Sequence, residues 1–160
     1  MMIDPLKIME HQRDNIPVPV YDIVADLGLG PQFRPLDDEI SGWIERLDDG
    51  SYQIVINEKH APSRKRFTAA HELGHYIYHR DLLGAGTGDT RAYRADHSPL
   101  PNAAIRPRHE RQANSFAANL LMPVGAIERL RLEGVHDAAT MAERLGVSEA
   151  AMKIRLGETR

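Results

Sequence analysis

The chain has 160 residues and a formal net charge of −3, with 42% hydrophobic and 27% charged residues. This composition is typical of one compact globular domain, and it excludes a protein held to nucleic acid mainly by bulk positive charge. The sequence contains no cysteine, which excludes disulfide scaffolds, thiolate zinc fingers and cysteine nucleophiles. Any bound metal must therefore be held by histidine, aspartate or glutamate, and eight histidines are present.

The sequence shows no targeting or membrane-spanning segment. No stretch approaches the roughly 18 consecutive apolar residues of a spanning helix, and the N-terminus interleaves acids and bases instead of carrying the apolar core of a signal peptide. We therefore expect a cytoplasmic protein with no membrane partner. We see no internal repeat, so residues 1–160 are expected to form a single domain.

Local patterns predict an α+β fold, with a small antiparallel sheet packed against a central helix and further helices around it. Strands are predicted at 40–47 and 51–57, around an Asp-Asp-Gly turn. Residues 81–107 carry glycines, prolines and little periodicity, so we expect a long mobile loop there. The predicted helices cover, in chain order, about 4–14, 18–29, 62–80, 108–122, 137–145 and 148–156.

The segment His71-Glu72-Leu73-Gly74-His75 lies inside the predicted helix 62–80 and matches the HExxH pattern of zinc hydrolases. Positions i and i+4 share one face of a helix, so both imidazoles can bind one ion. Glu72 lies one residue further round, where it can take a proton from a water held by that ion. We predict one Zn²⁺ per chain, with His71 and His75 as ligands and Glu72 as catalytic base. Surface histidines beside an ordinary glutamate are the alternative.

A catalytic zinc needs a third protein ligand and one open position. Asp81 lacks the glycine turn of the extended motif, and His79 lies two turns from His71, about 12 Å along the helix axis. A second helix is the remaining source, and we predict Glu110 as the third ligand. Asn114 follows one turn later and could accept a hydrogen bond from a ligand histidine. A carboxylate that only complements the helix dipole is the alternative for Glu110.

Other signals leave some roles open. His97 and His109 are alternative third ligands, and both, with Tyr93, are candidates to stabilise an oxyanion. The glycine-rich run 84–88 lacks the Lys-Ser/Thr of a phosphate-binding loop, so we interpret it as part of the mobile loop. Residues 137–156 have a helix-turn-helix spacing, but their charges balance, so we favour helical packing over direct DNA contact.

Two separated segments, RFTAAHELGHYIYH (66–79) and ERQANSFAANLLMP (110–123), resemble the ImmA/IrrE family of zinc metallopeptidases, which is similar to the gluzincins in active-site layout. The resemblance implies that zinc is bound by His71, His75 and Glu110. It also implies that the strand before the active-site helix forms the edge of the cleft. An edge strand can pair with an extended substrate, and here it would use four residues: Ile54, Val55, Ile56 and Asn57.

The sequence therefore predicts a zinc-dependent metalloendopeptidase with Glu72 as its base. Relatives cleave helix-turn-helix repressors that control mobile elements, stress responses or toxin–antitoxin pairs, so the resemblance implies a transcriptional regulator encoded nearby as substrate. One alternative is a zinc-containing regulatory protein that binds a repressor or DNA without proteolysis. A small-molecule metallohydrolase is a further alternative.

Overall fold

The computed structural model of the chain describes residues 4–12, 15–83 and 105–158. Residues 84–104 of the predicted loop, with Tyr93 and His97, lie outside the described residues. The elements in chain order are α1 (Pro5–Gln12), α2 (Val20–Asp26), β1 (Gln32–Arg34), β2 (Gly42–Arg46), β3 (Tyr52–Asn57), α3 (Pro62–His79), a short 3-10 helix (Arg80–Leu82), α4 (Pro107–Leu121), α5 (Val124–Leu132), α6 (Ala138–Leu145) and α7 (Glu149–Arg155).

The sheet has three strands in the order β1-β3-β2. β2 and β3 form an antiparallel hairpin, in which Gly50 takes the left-handed conformation (φ 88°) that the tight turn requires. β1 runs parallel to β3, with Gln32 opposite Val55. The predicted α+β class is confirmed. The prediction of an antiparallel sheet is wrong for one strand, because β1, which follows α2, pairs with β3 in the parallel direction.

β3 is the central strand of this sheet. Its backbone is paired with β1 on one side and β2 on the other, and the N–H of Ile54 donates to Leu29 O at 2.8 Å. The prediction that β3 forms a substrate-binding edge of the sheet is therefore wrong. Its four proposed contact residues are fully buried: Ile54, Val55, Ile56 and Asn57. A buried strand with both sides paired has no free N–H or C=O groups to offer a substrate.

Asn57, at the end of β3, organises the connection before β2. Its amide nitrogen donates to three backbone oxygens, those of Leu36 (3.3 Å), Asp37 (3.0 Å) and Ile40 (2.9 Å). Its amide oxygen accepts from the N–H groups of Leu36 and Lys59. A side chain that forms five partly buried hydrogen bonds to the backbone holds the loop in one conformation.

α3 is the centre of the molecule. Pro62 occupies its first turn, where the missing N–H of proline costs nothing. The helix packs against β2 and β3 on one side and, most extensively, against α4 on another. The core includes apolar side chains from α2, the sheet, α3 and every helix from α4 to α7. None of the helices in the described part of the chain is long and apolar enough to cross a membrane.

Arg66 ties distant segments to the first half of α3. Its guanidinium Nη2 donates to Val18 O at 2.7 Å, just before α2. Its Nε donates to Gly146 O at 3.3 Å, in the turn between α6 and α7. Gly146 adopts a left-handed conformation (φ 70°) that ends α6, and Ser148 caps α7 by accepting from Ala151 N–H at 3.0 Å. The α6–α7 pair is thus a helical hairpin that Arg66 anchors on α3.

Candidate metal centre

The candidate metal centre lies where α3 and α4 cross at close range. Gly74, between the two histidines of the HExxH segment, faces α4. A methyl group there would lie 3.2 Å from Ala113 Cα and 3.2 Å from Phe116 Cδ2, which is tighter than an ordinary contact. Glycine therefore allows α4 to approach α3 closely enough for a side chain of α4 to reach the histidines.

Three donor atoms converge at this crossing. Oε1 of Glu110 lies 2.9 Å from Nε2 of His71 and 3.3 Å from Nε2 of His75, and the two Nε2 atoms are 3.1 Å apart. Both imidazoles are buried, with at most 1% of either residue exposed, whereas the Glu110 side chain is 27% exposed. The residues predicted as metal ligands are thus brought together, with one open side at the carboxylate.

The donor set fits a zinc ion. Bonds of 2.0–2.1 Å at tetrahedral angles place neighbouring donors roughly 3.3 Å apart, close to the separations found here. Two imidazole nitrogens that face each other at 3.1 Å cannot both carry a proton, and a cation between them would satisfy both. Among the described residues, His71, His75 and Glu110 form the one group of three such side chains with converging donors.

The carboxylate of Glu110 is held in its charged form. Burial raises its pKa, but hydrogen bonds to His71 and His75 and the electrostatic interaction with both rings outweigh burial, so the pKa lies well below its ordinary value. An ionised carboxylate next to two imidazoles is the form that binds a divalent cation. Glu72 follows His71 on α3 and is fully buried.

The Nδ1 atoms of both histidines are held by a second layer of polar side chains. Asn114 Oδ1 lies 2.7 Å from His71 Nδ1, at the position predicted from its spacing to Glu110. His75 Nδ1 lies 2.9 Å from His79 Nδ1. These contacts use the Nδ1 side of each ring and leave Nε2 directed at the shared centre.

Gln112 completes this second layer and was not predicted from the sequence. Its Oε1 lies 2.8 Å from His79 Nε2. With the amide oxygen accepting, His79 carries its proton on Nε2 and accepts through Nδ1 from His75 Nδ1–H. That arrangement leaves the Nε2 lone pair of His75 available to a metal. His79, excluded above as a third ligand, therefore lies behind His75.

His109, an alternative third ligand in the sequence, has a different position. Its Nδ1 accepts from the backbone N–H of Arg106 at 2.8 Å, which closes the first turn of α4. Its ring packs 4.7 Å from the ring of His79. His109 does not join the group of converging donors. Tyr93 and His97 lie outside the described residues, so their predicted roles stay predictions.

Known proteins resemble the chain in sequence and in fold. The profile of the IrrE N-terminal-like domain, Peptidase_M78, matches residues 32–157, which include both helices of the candidate centre. The chain belongs to this family. The resemblance to the ImmA/IrrE peptidases is thereby confirmed.

The chain is similar to one characterised relative in sequence and to one solved structure in fold. The chain is 31% identical over 126 residues to the radiation response metalloprotease IrrE of Deinococcus radiodurans. The matched residues cover 78% of this chain and 31% of that protein. The chain therefore spans less than half the length of that relative. A solved structure described as a Mycobacterium tuberculosis transcriptional regulator is similar with a TM-score of 0.58 and 19% identity, over 86% of this chain and 39% of that chain. That similarity shows the fold alone.

Proposed function

We propose that the chain is a zinc-dependent metalloendopeptidase in which His71, His75 and Glu110 hold one Zn²⁺. The observation that carries this proposal is the convergence of two imidazole nitrogens and one ionised carboxylate within 2.9–3.3 Å of one another. Membership of the Peptidase_M78 family and similarity to a metalloprotease support the same reaction class.

Each protein group has a definite task in this proposal. When bound, zinc supplies a Lewis acid for the scissile carbonyl and lowers the pKa of water at the site. Glu72, buried beside His71, takes a proton from the attacking water and later delivers it to the leaving amine. Asn114 and His79 hold the two imidazoles in the tautomer that keeps Nε2 free for the metal.

We propose a protein as substrate, and specifically a helix-turn-helix transcriptional regulator encoded near this chain. The support comes from the ImmA/IrrE resemblance, since relatives of this type act on such regulators. The similarity to a radiation response metalloprotease favours a role in a stress response.

The decisive experiment compares Glu72→Gln with the wild type. Both proteins, loaded with zinc, are incubated with the neighbouring regulator, and cleavage is followed by mass spectrometry, with metal content measured in parallel. We expect the wild type to cleave the regulator, while Glu72→Gln retains about one zinc per chain and loses cleavage by at least about a hundredfold. Glu128→Gln, at an exposed position of α5, is the matched control and should cleave normally.

Two outcomes would contradict the proposal. If Glu72→Gln cleaves at the wild-type rate, Glu72 is not the base. If the zinc-loaded wild type binds the regulator but leaves it intact, the chain acts by binding without proteolysis.

A further inference from the structure

A groove runs between α3, α4 and α7 beside the candidate metal centre. It consists of two cavities, of about 360 and 490 Å³, which share Phe67, Met122 and Ala151. Volumes of this size lie within the roughly 300–1,000 Å³ typical of ligand pockets. We name it the α3–α7 groove, and its apolar lining is Phe67, Ala118, Met122, Val147, Ala151 and Ile154.

The groove meets the metal centre at two residues. Asn114 lines the larger cavity, and the same side chain contacts His71 Nδ1 at 2.7 Å. Phe67, which lines both cavities, lies one helical turn before His71, with ring centroids 6.3 Å apart. The groove therefore borders His71, one of the candidate metal ligands, on the side of its Nδ1 atom.

The walls keep the groove open and apolar. Small side chains on two helices, Ala118 of α4 and Ala151 of α7, leave the space between those helices unfilled. Ile154, on the next turn of α7, is 66% exposed at the rim. A large aliphatic side chain at the mouth of an apolar groove gains burial when another apolar group covers it.

The described residues that line the groove include two charged side chains, both positive. Arg64 lines one cavity and Arg155 the other, and among the residues that the structure describes no aspartate or glutamate lines either cavity. Arg64 donates to Ser41 Oγ at 3.0 Å and Arg155 to Met122 O at 3.0 Å. Within the described parts of the chain, neither arginine forms an ion pair with a carboxylate. In a chain of net charge −3, this favours an occupant with acidic groups at its ends.

We propose that the α3–α7 groove binds an apolar segment of the polypeptide substrate, flanked by acidic residues, next to the bond that is cut. This inference rests on the proposed peptidase function and identifies the class of sequence that the enzyme selects. In this proposal the helix-turn-helix spacing of residues 137–156 positions α7 as one wall of a peptide groove.

The test measures peptide binding separately from hydrolysis. Three short fluorescent peptides are compared by anisotropy on the zinc-loaded Glu72→Gln chain. The first has a leucine-rich centre with aspartates at both ends, the second has the same centre with lysines at both ends, and the third has a serine centre with aspartates. We expect the first to bind at least about tenfold more tightly than either of the others.

Two neighbouring alanines of α7 provide matched variants. Ala151→Phe fills the groove and should weaken binding of the first peptide by about tenfold or more. Ala150→Phe places the same ring on the exposed side of the helix and should leave binding within about twofold. Ile154→Asp, at an exposed position that folding tolerates, is a second variant and should also weaken binding. Zinc content and melting temperature are measured for each.

The outcomes separate the groove from the reaction. Equal binding of the first and third peptides, or undiminished binding by both Ala151→Phe and Ile154→Asp, overturns the groove proposal. If the peptide binds with the expected pattern but the zinc-loaded wild type leaves both the peptide and the regulator intact, the groove stands and the proposed peptidase function fails. If the wild type cleaves the peptide and Ala151→Phe has an unchanged KM, the groove alone is refuted.

Discussion

Gly74→Ala should weaken metal binding by pushing α3 away from α4. The added methyl would lie 3.2 Å from Ala113 Cα and 3.3 Å from Ala113 O, whereas carbon–carbon contacts are ordinarily about 3.5–4.0 Å. Because these atoms belong to the backbone, the helices must separate by a few tenths of an ångström. Metal sites tolerate only about 0.2 Å in ligand distance. We therefore expect zinc affinity to fall by about 10–100-fold, as when groups that support metal ligands are changed.

The metal-free chain should lose only part of its stability and still fold. Overpacking costs about 1–3 kcal/mol, while alanine in place of glycine within a helix contributes about 0.5–1 kcal/mol. The net loss of unfolding free energy should thus be no more than about 2.5 kcal/mol. Competition with a fluorescent zinc chelator measures affinity, and urea unfolding of the metal-free chain measures stability.

Gly134→Ala is the control for this substitution. Gly134 adopts φ 92°, and a methyl there meets nothing within 4 Å, so alanine adds backbone strain without moving α4. It should lower stability by about 1 kcal/mol and leave zinc affinity unchanged. Wild-type zinc affinity in Gly74→Ala would refute the idea that the close approach of α3 and α4 sets the donor distances.

Three further predictions follow from the contacts around the site and the sheet. Glu110→Ala should keep its circular dichroism spectrum and lose most of its zinc on dialysis, and full retention of zinc would assign the third ligand to another residue. Gln112→Leu removes the acceptor for His79 and should weaken zinc binding by about tenfold. Gln112→Glu keeps an acceptor and should bind zinc normally. Equal zinc affinities of these two variants would contradict the argument that Gln112 sets the tautomers of His79 and His75. Asn57→Ala should lower the unfolding free energy by about 2 kcal/mol, because partly buried backbone groups lose their partner, and urea denaturation checks this. Zinc affinity of the folded chain should not change.

The half of the site that lies within one helix could be predicted from spacing alone. The i, i+4 relation places His71 and His75 on one face of α3, and the structure has them so. Predicting Glu110 required a further argument, that the third donor must come from a second helix. The structure places its carboxylate next to Nε2 of both His71 and His75. Gln112 had no comparable signal, because its contact with His79 depends on how α4 is rotated against α3. Such a rotation is set by packing and is not visible in local periodicity.

The sheet explains why the sequence predicts β3 as an edge strand although it lies at the centre. The hairpin of β2 and β3 has a clear local signal, whereas β1 has three residues and no periodicity of its own. β1 exists because its backbone pairs with β3, and that pairing turns a predicted edge into a central strand. α5 was also missed, although Ala126, Ile127 and Leu130 recur at helical spacing and are buried.

The anchoring of Arg66 to Val18 has a practical consequence for anyone who trims this chain. The family profile begins at residue 32, but Val18, Val20, Ile23, Val24 and Leu29 all lie before that point and are buried in the shared core. A fragment cut to residues 32–157 would expose the surfaces that these side chains cover and would leave the half-buried guanidinium of Arg66 without its carbonyl partner. The smallest piece that keeps the helix of the candidate metal centre supported therefore begins before residue 18, well ahead of the boundary that sequence similarity suggests.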